Sequence, residues 1–312
     1  MGTNIGIGNY IGKSKSQGSS FHPSLVDYWN FKGKSNFDKD RNTIKGIKGE
    51  LLTAYNFGWS LGSGYGLFKE NYLTYNKAQN VFVTDDHSVT IMNFVPANNW
   101  ILSKYGNSQL NATRIRVTGL TANNQLAYGY SPTNDGARVL MAIPSDGEYD
   151  LPKSVVNTKT YSVGFIVQNA LSQNVIIQQI PEYEGAIVTD GIDDYLKLDK
   201  VGYKVGTVII KHKPVRLTNN WQYVLEAATD RTYITYNSVN GPIITNFDNY
   251  NTVGDYEVGI INTPRLIETP FYIGCKSNIK EFISMALYEI AIYQDVLTDE
   301  EIQKEIIKMQ SL

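Results

Sequence analysis

The chain has 312 residues, enough for two ordinary domains, and its 42% hydrophobic and 12% aromatic content excludes a disordered protein. Lys and Arg total 28 against 30 Asp and Glu, and a net charge of −2 argues against nucleic acid as a partner, because neutralising phosphates needs a basic surface. The single cysteine, Cys275, excludes an internal disulfide framework, and no run approaches the ~20 apolar residues of a membrane-spanning helix.

Only 19% of residues are charged, and the remaining polarity rests on Asn, Gly, Ser and Thr, beside 22 Tyr. Tyr and Thr suit a pleated surface, while Gly and Asn supply the positive-φ corners between strands. An all-β chain is the expectation.

Residues 1–20 read as an extended arm. They lack the basic start and compact apolar stretch of a secretory signal, and Gly6 stands where a myristoylation pattern needs Ser or Thr. Ile5, Ile7, Tyr10 and Ile11 are interleaved with glycines. Such a segment is too Gly-rich to fold alone, so it is either a disordered tail or an attachment arm that adds a strand to a neighbour's sheet. Its isoleucines favour attachment.

Leu25 to Phe31 reads as the first strand, Asn36 to Gly49 as a polar turn region, and Leu51-Leu52 with Tyr55, Phe57 and Trp59 as the strands that follow. Glycines at 58, 62, 64 and 66 mark a tight loop. From about 86 to 184 the texture changes to that of a separate small β-domain. Arg114-Ile115-Arg116-Val117 alternates at period two, and turn signals recur at Thr118-Gly119, Asn134-Asp135-Gly136 and Ser145-Asp146-Gly147. Short strands at this spacing suggest a sandwich.

Beyond Pro181 the first texture returns, with strands near Val208, Val224, Ile234, Ile273, Leu287 and Ile292. One helix is expected, at the C-terminus. Thr298 precedes Glu301 by three residues as a capping box, and Ile302, Ile306 and Met309 share a face.

Three segments carry a family resemblance. Leu287 to Tyr293 followed by Leu297 to Ile302 resembles the closing strand and helix of laminin-G/concanavalin A-like lectin domains. Asp190-Gly191-Ile192-Asp193-Asp194-Tyr195 resembles an early strand entry of those domains, and Leu25 to Phe31 their opening strand. The resemblance implies a concanavalin-like jelly-roll sandwich interrupted in sequence: residues 21–85 plus 185–312 form it, and 86–184 are a smaller inserted β-sandwich.

A narrower resemblance runs through Tyr28 to Asn36 with Asp38, Asp40, Arg41 and Thr43, Ser63 to Gly66, and Pro181 to Gly185 on through the Asp190-Gly191 motif. These are similar to virion proteins of tailed phages of gut Bacteroidales, crAss-like phages included. That resemblance implies a particle component (head fibre, tail appendage or capsid decoration) assembled in the host cytoplasm. Other virion proteins and further copies of the chain would be its partners, and host surface glycan a contact.

Asp190, Asp193 and Asp194 could together offer calcium the oxygen ligands it prefers, and laminin-G-like domains often carry such a site. Turn chemistry is the stronger reading, with the carboxylates of Asp193 and Asp194 accepting exposed turn amides. Asn36, Asp38, Asp40 and Asn42 fail as an EF-hand, because Arg41 and Ile47 occupy the places of its Gly and Glu. For a glycan ligand, Trp100 and Trp221 with Asn99 and Asn220 are the candidate platforms, placed at loop tips. A glycan-cleaving enzyme is a minor alternative: no strand carries the expected pair of carboxylates, and His22, His87 and His212 are too scattered for a triad. No cofactor is required, and Cys275 reads as a small core residue.

Overall fold

The computed structural model describes residues 20–92, 94–121, 125–159, 162–227 and 232–312. The arm positions Ile5, Ile7, Tyr10 and Ile11 lie outside the described residues. The chain is all-β, with antiparallel sheets forming sandwiches and one short C-terminal helix.

Among the described residues four sheets make two sandwiches, one nested in the sequence of the other. In the larger, one seven-stranded sheet has the order Asn249–Val253, Tyr256–Ile267, Tyr203–Arg216, Ser284–Tyr293, Ile187–Val188 and Gly64–Tyr65, and Leu25–Asn30 also pairs with Ser284–Tyr293. Its facing sheet runs Thr43–Lys45, Leu51–Tyr55, Tyr195–Leu198, Phe271–Ile273, Gln222–Ala227, Thr232–Tyr236 and Ile243–Thr245. The smaller sandwich has two five-stranded sheets whose strands all fall between Asn76 and Ile180.

Two details differ from the sequence reading. The strands Asn76–Lys77 and Val81–Val83 join the smaller sheets, so those sheets begin before residue 86. The polar stretch 36–49 holds the short strand Thr43–Lys45, and Phe57 and Trp59 lie in a loop. Thr43–Lys45 pairs with its hairpin neighbour Leu51–Tyr55 and Val81–Val83 with Ser88–Ile91, so pairing makes strands of segments whose composition does not announce them.

Trp29, Phe31, Leu52, Val208, Ile210, Leu225 and Ile292 pack between the large sheets. Ile209, Ala291 and Tyr293 point to the opposite face of the same sheet, where Ile302, Ile306 and Met309 of the helix Asp299–Gln310 cover them. This two-sided burial explains why Val208-Ile209-Ile210 and Ile290-Ala291-Ile292 are continuous apolar runs instead of alternating ones. The capping box forms in full: Thr298 accepts from the Glu301 amide, and the Glu301 side chain accepts from the Thr298 amide. Cys275 is fully buried, and burial pushes its thiol up to about 12.

Candidate functional site

The Asp-Gly segment is the turn between Ile187–Val188 and Tyr195–Leu198. Gly191 has φ +77°, and a Cβ there would approach the Ser284 backbone nitrogen to 2.8 Å, so glycine is required twice over. Asp190 Oδ1 accepts the amides of Ile192 at 2.7 Å and Asp193 at 3.3 Å, and Asp194 Oδ2 accepts the Asp190 amide at 2.9 Å. The turn amides therefore go to Asp190 and Asp194. Asp193 contributes its carbonyl, which accepts from Asn56 Nδ2 at 2.9 Å.

One carboxylate oxygen from each of Asp190, Asp193 and Asp194 lies within 4.8 Å of the others. Asp194 is 1% exposed, and desolvation pushes its carboxyl up to about 6 against the opposing pull of the Asp190 amide and the Ser63 side chain. Two of the three carboxylates are thus already engaged in closing the turn.

Trp100 belongs to the strand Asn99–Tyr105, opposite Ile166, and not to a loop tip. A Cβ on Gly129 would meet its ring at 2.6 Å, and the Arg138 guanidinium lies 4.7 Å from its centroid, so the indole is a partly covered patch on the sheet face. Asn99 is half-buried on the same strand. Trp221 is 45% exposed just before Gln222–Ala227, beside exposed Asn220. The two tryptophans stand on different sandwiches, so they do not form one site.

Polar contacts also gather at the junction between the sandwiches. Asn36 Oδ1 accepts the Tyr65 amide at 2.6 Å, Tyr65 Oη donates to the Arg41 carbonyl at 2.7 Å, and Arg41 Nη1 donates to the Asn36 carbonyl at 2.7 Å. Tyr65 also pairs with Ile187, just past the Pro181–Gly185 segment. Residues far apart in sequence thereby meet where the chain leaves the larger sandwich and re-enters it.

Glu70, 5% exposed, fastens the crossing. Its backbone exchanges hydrogen bonds with the Gln179 side chain at 3.1 and 2.6 Å. Its carboxylate accepts from the Asn111 amide at 2.6 Å, Tyr75 Oη at 3.0 Å and Lys104 Nζ at 3.1 Å. Three donors thus converge on one buried carboxylate, and their hydrogen bonds offset the cost of taking it out of water.

Beside it lies His87, 7% exposed, with its ring stacked on Phe68 at 4.0 Å. Its Nδ1 faces Asp86 Oδ1 at 2.9 Å and Asp85 Oδ1 at 3.2 Å, and Ser60 Oγ donates to Asp86 Oδ2 at 2.9 Å. A cleft of about 360 Å³ opens here, lined by Ser35, Asn36, Asp85, His87, Gln178 and Glu184 among others. A second cleft of about 500 Å³ shares Gln179, Pro181 and Glu184 with it. In sequence His87 is one of three scattered histidines; its contacts with Phe68 and Ser60's partner Asp86 arise only in the fold.

A third polar cluster is enclosed in the larger sandwich. His212, with a fully buried side chain, lies near Tyr236 and Glu257, and Tyr250 donates to the same Glu257 carboxylate. Burial holds the imidazole down at about 4 and pushes Glu257 up.

No family model matches the chain, and no match was found among curated proteins.

Proposed function

We propose that this chain is a structural component of a phage particle, a head fibre, tail appendage or capsid decoration, attached through its N-terminal arm and touching host surface glycan. On this reading it is not catalytic, and its partners are other virion proteins and further copies of itself. The observation that supports it is the convergence at the junction: the virion-like segments around Tyr28–Asn36, Ser63–Gly66 and Pro181 through the Asp190-Gly191 motif are brought together by the Asn36–Tyr65 bond, the close approach of Gly66 to Pro181 and the Gly64–Tyr65 pairing with Ile187–Val188. The same stretch of chain joins the two sandwiches, and buried hydrogen bonds from Glu70 pin it. Such a joint suits a part that must hold its shape when assembled with neighbours.

The test is incorporation. Particles assembled with a chain lacking residues 1–20 should contain little of it by quantitative mass spectrometry, while the full chain is present at its normal copy number. Equal incorporation of both would remove the arm from the proposal.

A second reading, a lectin-like module whose main role is adhesion, is favoured by Trp221. Its large exposed ring stands beside exposed Asn219 and Asn220, a combination of stacking surface and amides that suits a sugar. Retention on a glycan array, abolished by Trp221→Ala, is the outcome this reading requires.

A further inference from the structure

We infer that the cleft at the junction of the two sandwiches is a saccharide subsite that takes a neutral, hydroxyl-rich ring. The inference rests on the glycan-contact reading above and locates that contact. The walls come from both sandwiches: Ser35 and Asn36 from the larger, and Asp85, His87 and Gln178 from the smaller.

Asn36 is the observation that asks for a ligand. It is 1% exposed, and its Oδ1 is committed to the Tyr65 amide, which fixes which way round the carboxamide lies. Its Nδ2 is then a buried donor with no hydrogen-bond partner. An unmade bond of this kind is costly, and an acceptor oxygen brought into the cleft would satisfy it.

The opposite wall supplies complementary groups. His87 turns Nδ1 to the two aspartates and is held flat on Phe68, which leaves Nε2 as the ring nitrogen available to a ligand. Gln178 and Glu184 are exposed at the cleft, and Asp85 is half-buried there. Hydroxyl groups both donate and accept, so a sugar can serve the Asn36 donor and the carboxylate acceptors together. An apolar ligand would strand all of them. An anion would meet two carboxylates, Asp85 and Glu184, against the single ammonium of Lys34. A volume of about 360 Å³ lies at the small end of ligand sites, as one or two sugar rings require.

The experiment probes an immobilised panel of defined neutral and acidic oligosaccharides with the full chain and three variants. Gln178→Trp fills the cleft from an exposed position, Asn36→Asp keeps the acceptor for Tyr65 but removes the donor, and Trp221→Ala leaves the cleft untouched. Melting curves confirm that each variant is folded. Neutral glycans should be retained by the parent chain, with affinity reduced about tenfold or more in Gln178→Trp and Asn36→Asp and unchanged in Trp221→Ala. Retention that survives Gln178→Trp but is lost in Trp221→Ala overturns the subsite and leaves the glycan reading standing. Retention of acidic glycans alone overturns the ligand class. No retention by the parent chain overturns both.

Discussion

Asp27 Oδ1 accepts the backbone amide of Lys48 at 2.7 Å, across twenty-one positions of sequence. The same carboxylate accepts the amides of Tyr28 and Glu50, each at 2.7 Å, and it is fully buried in the middle of the opening strand. Gly46 faces it so closely that a Cβ there would overlap the carboxylate. An acidic residue inside an apolar strand is thus the clamp that closes the 46–50 turn onto that strand.

Replacing Asp27 by Ala should leave three amides without their acceptor and lower stability by about 3 kcal/mol or more. Asp27→Asn, which retains one carbonyl oxygen, should cost less. Urea unfolding followed by tryptophan fluorescence checks the order, because Trp29 lies in the core beside this strand. Equal stability of parent and Asp27→Ala would refute the clamp.

The pH dependence of stability should reflect opposing groups, Asp194 and His212 foremost. Burial pushes the Asp194 carboxyl up to about 6 from its ordinary 3.8, so the fold holds its proton and Asp194 makes stability fall as pH rises through that window. His212 has a folded pKa of about 4, below 6.5, so it makes stability rise over pH 4 to 6.5. These contributions oppose each other in the parent chain, and Glu257, which burial also pushes up, acts in the same direction as Asp194. Asp194→Asn keeps an acceptor for the Asp190 amide, and its melting temperature should climb more steeply between pH 4 and 6 than the parent's. Parallel curves would show that Asp194 titrates normally.

Calcium should do little to the Asp190 turn, since Asp190 and Asp194 already accept its amides. Melting temperatures in millimolar Ca²⁺ and in EDTA should agree within about 1 °C. A calcium-dependent rise of several degrees, lost in Asp193→Asn, would instead make Asp190, Asp193 and Asp194 a cation site, by the ordinary stabilisation of a fold by its ligand.

The C-terminal helix offers two graded substitutions. Thr298→Ala removes the capping box and should cost about 1 kcal/mol. Glu305→Ala should cost more, about 2–3 kcal/mol, because Glu305 is 2% exposed and accepts from the His22 amide and Tyr293 Oη, both at 3.0 Å. Differential melting of the two variants gives the comparison, and a larger loss for Thr298→Ala would contradict it.

Much of the architecture is legible locally. The 3.6-residue spacing of Ile302, Ile306 and Met309 and the Thr298/Glu301 pair are properties of a few neighbouring residues, and they specify the helix completely. Gly191 announces its turn because few other residues tolerate its backbone angles. Strand segments such as Arg114–Val117 show their alternation directly, and their all-β class follows from the same period.

The relationships between positions far apart in sequence come from the three-dimensional fold alone. Asp27 with Lys48, Asn36 with Tyr65, Glu70 with Gln179 and His87 with Phe68 are each unremarkable in their own neighbourhoods. Their roles arise because strand pairing carries a buried polar group to whichever distant partner can satisfy it, and no local pattern encodes that partner. Trp100 makes the same point: its flanking asparagines resemble a loop tip, but pairing with Ile166 places it on a sheet face. The local sequence thus determines the elements and their buried faces, and long-range pairing determines which polar groups are left to meet in a cleft.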